Sequence, residues 1–316
     1  FVIHLYNGNL YKNNRKEIRL SFIIHFDRVQ RMFLRNPSKK HWVLIERPYL
    51  GNTMSVLAPI VCKEHTISFE NTQIMGVLNV TPDSFSDGGL FNTVESAIAQ
   101  GKQLVADGAD LLDIGGESSQ PGSEPLSQKE ELARILPVVL RLVDEVSVPI
   151  SIDTYKPLVA DTCLNAGAHL LNDITGLTNP AMRKIASKHN VPVVMMHMQG
   201  TPKSMQQNPV YHDVLAEITA FFHQQIAAAQ KDGISQIIID PGIGFGKTVG
   251  HNLQILRHLD TFKALGCPLL VGPSRKSFIG TITDLPINER LEGTIAAVTV
   301  AIMQGANIVR VHDVKE

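Results

Sequence analysis

From residue 73 onward the chain alternates between short apolar runs and longer stretches patterned like helices. The first run, Gln73–Val80, is apolar and β-branched, and from Asn79 it opens into a loop rich in Ser, Thr, Asp and Gly that ends at Gly89. Seven further runs follow: Asp110–Gly115, Pro149–Asp153, His169–Asn172, Val193–His197, Gln236–Asp240, Leu269–Gly272 and Ile308–Val311. Each has strand length and is bounded by polar or turn residues, which predicts eight strands. The stretches between predict helices over Thr93–Asp107, Gln128–Glu145, Lys156–Ala166, Pro180–His189, Val214–Asp232, Leu253–Leu265 and Leu291–Gln304. A repeated pair before the next strand (Gly108-Ala109, Gly167-Ala168, Gly305-Ala306) predicts one helix-to-strand turn used again and again.

Strands and helices in strict alternation predict an α/β fold, a (β/α)8 TIM barrel. An open doubly wound sheet is the alternative, but it is poorer at giving all eight strands polar ends. The sequence stops at Glu316, four residues past His312, so the eighth helix is expected to be missing or truncated at the C-terminus.

Composition narrows the picture. The 316 residues, 44% hydrophobic and 19% charged, suit one large core. A net charge of −1 gives no electrostatic case for nucleic acid. The charge is uneven, however: residues 1–53 carry ten Lys and Arg against three Asp and Glu. They read as a basic, irregular N-terminal extension, with Met54 heading the functional domain over 54–316. The basic run Arg28–Lys40 reads as a solvated arm. Cys62, Cys163 and Cys267 lie far apart, with no C-x-x-C and no His at metal spacing, as for free thiols in a reducing cytoplasm. No apolar run approaches the ~18–20 residues of a membrane span. The expectation is a soluble, cytoplasmic protein without membrane or nucleic-acid partners.

The strand ends carry the candidate chemistry. In order they offer Asn79, Glu117-Ser118-Ser119, Asp153, Asn172-Asp173, Met196-His197, Asp240, Ser274-Arg275-Lys276 and Arg310 with His312. One Asp at a strand end often only caps a helix. Eight polar ends in a barrel meet at one mouth. Asp153 and Asp240 close almost wholly apolar strands, where a carboxylate is costly without donors. An aminopyrimidine edge would supply two parallel N–H groups. Asn172 can donate and accept on the same ligand, and Lys276 can offset an acid while reaching a ring oxygen or nitrogen. Two carboxylates also fit a glycosidase, but the surrounding Asn, Lys and Arg favour recognition. Arg310 and His312 face one side of the last strand, where barrels commonly hold phosphate. The segment PGIGFGKT imitates a P-loop, yet Pro241 stands where its first glycine belongs. Its glycines are expected to let backbone pass close to a flat ligand, with Phe245 against the ring and Met196 inward.

At these residues the chain resembles the dihydropteroate synthase family. The likeness spans roughly residues 73–314, through NVTPDSFSDGG (79–89), DIGGESSQPG (113–122), SIDTYKP (151–157), LNDITGL (171–177), MMHMQGTP (195–202), DPGIGFGK (240–247), GPSRKS (272–277) and RVHDV (310–314). It implies a transferase that joins 4-aminobenzoate to a dihydropterin methyl diphosphate, releasing pyrophosphate on the route to folate. It further implies Mg²⁺ held by Asn79, and a pterin site of Asp153, Asn172, Asp240 and Lys276, with Met196 and Phe245 packing the ring. By the same resemblance Arg310 and His312 anchor the diphosphate. Ser119 sits at a substrate-loop position that is usually threonine, and Pro121 and Ser274 resemble positions near the aminobenzoate and hence near sulfonamide drugs. Lys276, Asp240 and Asp153 are the implied catalytic set, and a homodimer is the implied assembly. One departure stands out: GESTRPG reads GESSQPG here, so Ser119 keeps the hydroxyl while Gln120 replaces an arginine. Loops 81–92 and 117–127 are expected to close over the mouth and exclude water. The competing readings are a pterin-dependent methyltransferase, which has no diphosphate to bind, and a catalytically silent ligand-binding barrel.

Overall fold

The computed structural model describes residues 29–35, 42–48, 57–81, 89–118 and 123–316. The chain divides into two units, 1–55 and 56–316. In the first, strands β1 (Val29–Arg35) and β2 (Trp42–Pro48) pair antiparallel, from Val29 opposite Pro48 to Arg35 opposite Trp42. This corrects the irregular reading of the extension. Met32–Leu34 and Trp42–Ile45 are good strand formers, but each patch is too short to stand out until it is paired.

The second unit opens with a small hairpin, β3 (Ile60–Cys62) and β4 (His65–Ile67). Then comes the alternation: β5 (Gln73–Asn79), α1 (Gly89–Ala106), β6 (Leu111–Gly115), α2 (Gln128–Glu145), β7 (Ile150–Asp153) and α3 (Pro157–Asn165). It continues through β8 (Leu170–Asp173), α4 (Pro180–His189), β9 (Val193–Met196), α5 (Val214–Lys231), β10 (Ile237–Asp240) and α6 (Val249–Arg257). A 3₁₀ segment, Leu259–Leu265, follows α6. The last elements are β11 (Leu270–Val271), α7 (Ser277–Thr283), α8 (Leu291–Met303) and β12 (Ile308–Val311). Among the described residues no helix follows β12.

β5 to β10 pair in succession, all parallel; β12 adds to the far side of β5 and β11 to β12. A bridge between Ile239 and Leu269, with the Ile239 N–H donating to Pro268 O at 2.9 Å, brings the two edges together. The result is the TIM barrel. α7 went unanticipated because it is only seven residues long, too short for a helical period to register. The predicted helix over Leu253–Leu265 is instead α6, begun four residues earlier under a Thr248–His251 capping box, and the 3₁₀ segment.

Five units leave the helix for the next strand through the same hydrogen bond, from an N–H back to the carbonyl five residues earlier. The pairs are Ala109–Leu104, Ala168–Cys163, Val191–Ala186, Ile234–Ala229 and Ala306–Ala301, at 2.9–3.3 Å. The residue before each donor has positive φ: Gly108, Gly167, Gly233, Gly305 and, once, Asn190.

Inside the barrel the first inward residues are apolar: Met75, Leu111, Leu170, Val194, Ile238, Leu270 and Ile308 form one buried cluster with Ile60, Cys62 and Ile67 of the small hairpin. The hairpin is therefore the floor of the barrel. Two residues farther along four of these strands the inward positions turn polar: Asp113, Asn172, Asp240 and Arg310. Truncating the floor at Ile67→Ala should cost about 2–5 kcal/mol of stability, read by urea unfolding, with substrate affinities unchanged.

Candidate active site

The polar layer is organised by Arg310. Its Nε donates to Asp113 Oδ2 at 2.6 Å and its Nη2 to Asp153 Oδ2 at 2.8 Å, while Asn172 Nδ2 donates to the same Asp113 oxygen at 2.9 Å. Burial works against the guanidinium charge, but Asp113 and Asp153 outweigh it and hold Arg310 above its ordinary value. Burial pushes the Asp153 carboxyl up, Arg310 draws it down, and the neighbouring acids Asp113 and Glu131 push it up again. Asp113 is fully buried, and its Oδ1 has no partner among the described residues. It was not singled out in the sequence, although the signal is plain: one carboxylate in the middle of the apolar strand LLDIG. Replacing Arg310 with Met would leave two buried carboxylates uncompensated and should cost about 3–5 kcal/mol at neutral pH. Without its cation Asp153 stays protonated to higher pH in the folded than in the unfolded chain. The deficit should therefore shrink on acidification, which urea unfolding at pH 5 and 7.5 would measure.

Beside this layer lies an apolar wall: Ile174, Met196, Met205 and Phe245 form one buried cluster, with Tyr155 and Met198 packed on it. Lys276 sits over it, with Nζ 3.9 Å from the centroid of the Phe245 ring. Burial, reinforced by Arg310, pushes the Lys276 ammonium down to about 8. Burial raises the Asp240 carboxyl to about 6, against the Gly242 N–H that its Oδ1 accepts at 2.8 Å and against Lys276, Lys247 and Arg310. Sequence reasoning missed Met205, which comes from the long loop after β9 and carries no local pattern.

The glycines after Asp240 answer to another loop. Gly242 has φ +70°, and a Cβ there would lie 2.0 Å from His197 O; Gly246 has φ +61°, and its Cβ would lie 2.5 Å from Gln199 O. The expectation that these two glycines make room for a flat ligand is thus corrected: they make room for the backbone after β9. Gly244, with φ +82°, faces the Lys276 side chain instead.

At the rim, Ser274 Oγ accepts from the His312 N–H at 3.2 Å and lies 2.9 Å from His312 Nδ1. Burial, then Arg310, pushes His312 down to about 4, which leaves a neutral ring at pH 7. Arg275 forks onto Asp313. Asn79 ends β5 half-buried on the inward alternation, and its amide makes no hydrogen bond among the described residues. Ser119, Gln120 and Pro121 lie outside the described residues, as do 82–88, so the closing of the two loops is not placed by this structure. The base of the second loop is tied down. Glu117 takes the Leu126 N–H at 2.7 Å and the Tyr155 hydroxyl at 2.7 Å, and Lys156 bridges Glu117 to Glu131.

Among the described residues one group of potential metal-ligating side chains lies elsewhere: Glu64, His65 and His169, by the floor. The Ile150 N–H donates to His169 Nδ1 at 3.0 Å, which places the ring proton of a neutral His169 on Nε2, 3.2 Å from Glu64 Oε1. A ring held so is a donor to Glu64 and has no lone pair left for a cation.

A family model described as Pterin binding enzyme matches residues 75–312. A dihydropteroate synthase of Synechocystis sp. is 50% identical over 250 residues, 78% of this chain and 86% of the relative. The chain belongs to the dihydropteroate synthase family. A Yersinia pestis dihydropteroate synthase, solved in a sulfonamide drug complex, superposes with a TM-score of 0.78 at 44% identity, covering 82% of this chain and 94% of that one. The Xanthomonas albilineans dihydropteroate synthase, solved with 4-aminobenzoic acid, gives 0.77 at 43%, covering 81% and 93%. Among the described residues several of the strand ends named from sequence meet at one mouth, joined by Asp113, whereas Asp173 turns to Thr175 and Leu177, His197 to Lys247 and Arg275 to Asp313. Asp113, Asp153 and Asn172 gather on Arg310, Asp240 lies with Lys276 and Phe245, and Ser274 with His312.

Proposed function

We propose that this chain condenses 4-aminobenzoate with (7,8-dihydropterin-6-yl)methyl diphosphate, giving 7,8-dihydropteroate and pyrophosphate. The carrying observation is that three acids, Asp113, Asp153 and Asp240, and an aromatic–methionine wall gather at the strand ends with Arg310, which binds two of those acids, and with Lys276 and His312. That arrangement suits a flat, N–H-rich heterocycle whose leaving group is an anion. Asp240 and Asp153 accept from the pterin N–H groups, and Asn172 offers its amide oxygen beside them. Phe245 and Met196 hold the ring faces, and Lys276 balances the acids while reaching the ring. Pro121 and Ser274 are assigned to the 4-aminobenzoate side, and Ser119 to the substrate loop.

The C–O bond between the pterin methylene and the diphosphate breaks, the amine nitrogen of 4-aminobenzoate forms the new bond to that carbon, and the amine proton leaves to solvent. Arylamines are neutral nucleophiles near pH 7, so no dedicated base is required. The work left to the protein is electrostatic and positional. Arg310 and His312 steady the departing diphosphate, and Arg310 must be shared between that anion and the two acids it now holds. The uncommitted amide oxygen of Asn79 fits a hard cation that takes few protein ligands. Mg²⁺ bound there with the diphosphate would spread the leaving group's charge.

Incubation with both substrates and Mg²⁺ should yield dihydropteroate and pyrophosphate in equal amounts. Methyl transfer without pyrophosphate, or binding without turnover, would refute the assignment. We assign this activity to residues 54–316, so a chain begun at Met54 should keep its turnover, and loss of activity would place 1–53 in the catalytic unit. A homodimer through the late helices, which expose Leu253, Ile282, Val300 and Met303, and a cytoplasmic location complete the proposal.

A further inference from the structure

Lys247 has no part in the reading above, yet it is 2% exposed and lies between the loops that follow β9 and β10. Its Nζ is 2.9 Å from Phe245 O, 3.2 Å from His197 O and 3.0 Å from His197 Nδ1. An ammonium has three N–H donors, and here three acceptors converge on it. The third requires a neutral imidazole. Burial, then the charge of Lys247 itself, pushes His197 down to about 3, so its Nδ1 keeps a lone pair at pH 7. The ring is held edge-on to Phe221 at 5.0 Å between centroids.

Around this nitrogen the two loops run in backbone contact, as the glycines at 242 and 246 require. What Lys247 ties down is useful. Phe245 O belongs to the residue whose ring is the wall under Lys276, and the same turn supplies the Gly242 N–H to Asp240. Charge points the same way. At the barrel mouth the acids Asp113, Asp153 and Asp240 lie among the cations Lys247, Lys276 and Arg310. Asp240 is faced by Lys276, Lys247 and Arg310; Lys247 is faced by Asp240, Lys276 and the neutral His197.

We propose that Lys247 is a positioning residue for the pterin ring, pinning the Phe245 turn to His197 and supplying the cation that balances Asp240. This inference rests on the pterin-binding reading and deepens it. Lys247 does not touch substrate; it acts through Phe245 and Asp240. Burial pushes its ammonium down to about 7, with Asp240 holding it up. Loss of that proton removes one donor and one charge together, so pterin affinity falls as pH rises through this range.

The test compares the full chain with K247M and K247R. Binding of (7,8-dihydropterin-6-yl)methyl diphosphate is followed by calorimetry from pH 5.5 to 9, beside KM and kcat for both substrates. K247M should weaken pterin binding about tenfold or more while the 4-aminobenzoate KM stays within about twofold. It should also shift the acid limb of pterin binding to higher pH, because Asp240 ionises less readily with one cation fewer. K247R keeps the charge but cannot bring three donors to one point, so the acid limb stays put while affinity still drops. Arginine does not titrate in this range, so its alkaline limb should move up to that set by Lys276, at about 8. Wild-type pterin affinity in K247M, or equal losses for both substrates with unmoved limbs in either variant, would overturn the proposal and leave Lys247 as packing. If K247M does not fold, K247R decides alone: normal pterin affinity refutes the pinning. Failure of the unmodified chain to bind pterin refutes the underlying reading, and this inference with it.

Discussion

Replacing Lys276 with alanine should lower turnover by about 10²-fold or more, with the protein folded and the 4-aminobenzoate KM little changed. The side chain stands over the Phe245 ring and is one of three cations facing Asp240. Its amine, already pushed down to about 8 by burial, lies in an enclosed site where charge counts for more than in water. On the proposed reading, truncation removes a donor to the pterin and leaves Asp240 less ionised, so the ring would be both loosely held and wrongly polarised. Single-turnover measurement with saturating pterin diphosphate separates the lost chemistry from lost binding. Near-normal turnover would mean the ring sits elsewhere.

The second large effect runs in two directions at once. Asp240→Asn should cost about 10²-fold or more in turnover while making the protein more stable at neutral pH. The sign follows from burial, which raises this carboxyl from 3.8 to about 6 in the folded chain. On raising the pH the unfolded chain gives up its proton first. The penalty to folding therefore sets in from about pH 4 and is complete above about pH 6. Asn carries no such penalty and can still accept the Gly242 N–H through its amide oxygen. The variant should match the parent at pH 4 and exceed it at pH 7 by on the order of 2–3 kcal/mol. Urea unfolding at the two values is the check. Equal stability at both would mean that Asp240 is compensated better than its burial allows.

Much of this was legible because barrel geometry repeats. An apolar run with a polar end, read eight times, fixes both the architecture and the end that carries chemistry, and Asp153, Asn172, Asp240 and Arg310 all lie on strands whose limits were readable. What could not be read is what depends on long-range contact. The lone carboxylate of LLDIG marks Asp113 as unusual, but its partner, Arg310, stands 197 positions later and no local pattern names it. Lys247 looked like the end of a failed P-loop until His197 came beside it. The floor hairpin has strands of three residues, too short for any periodicity to register.

The uniform exit from five helices also sets a limit on how this protein can change. Each exit starts its strand at a defined step, and alternate residues then look inward or outward. One extra residue between Gly233 and Ile237 would present Ile239 to the cavity and turn Asp240 toward the helices. Deletions there would do the same. Length variation in this molecule is therefore tolerable only beyond the strand tips, where no parity has to be kept.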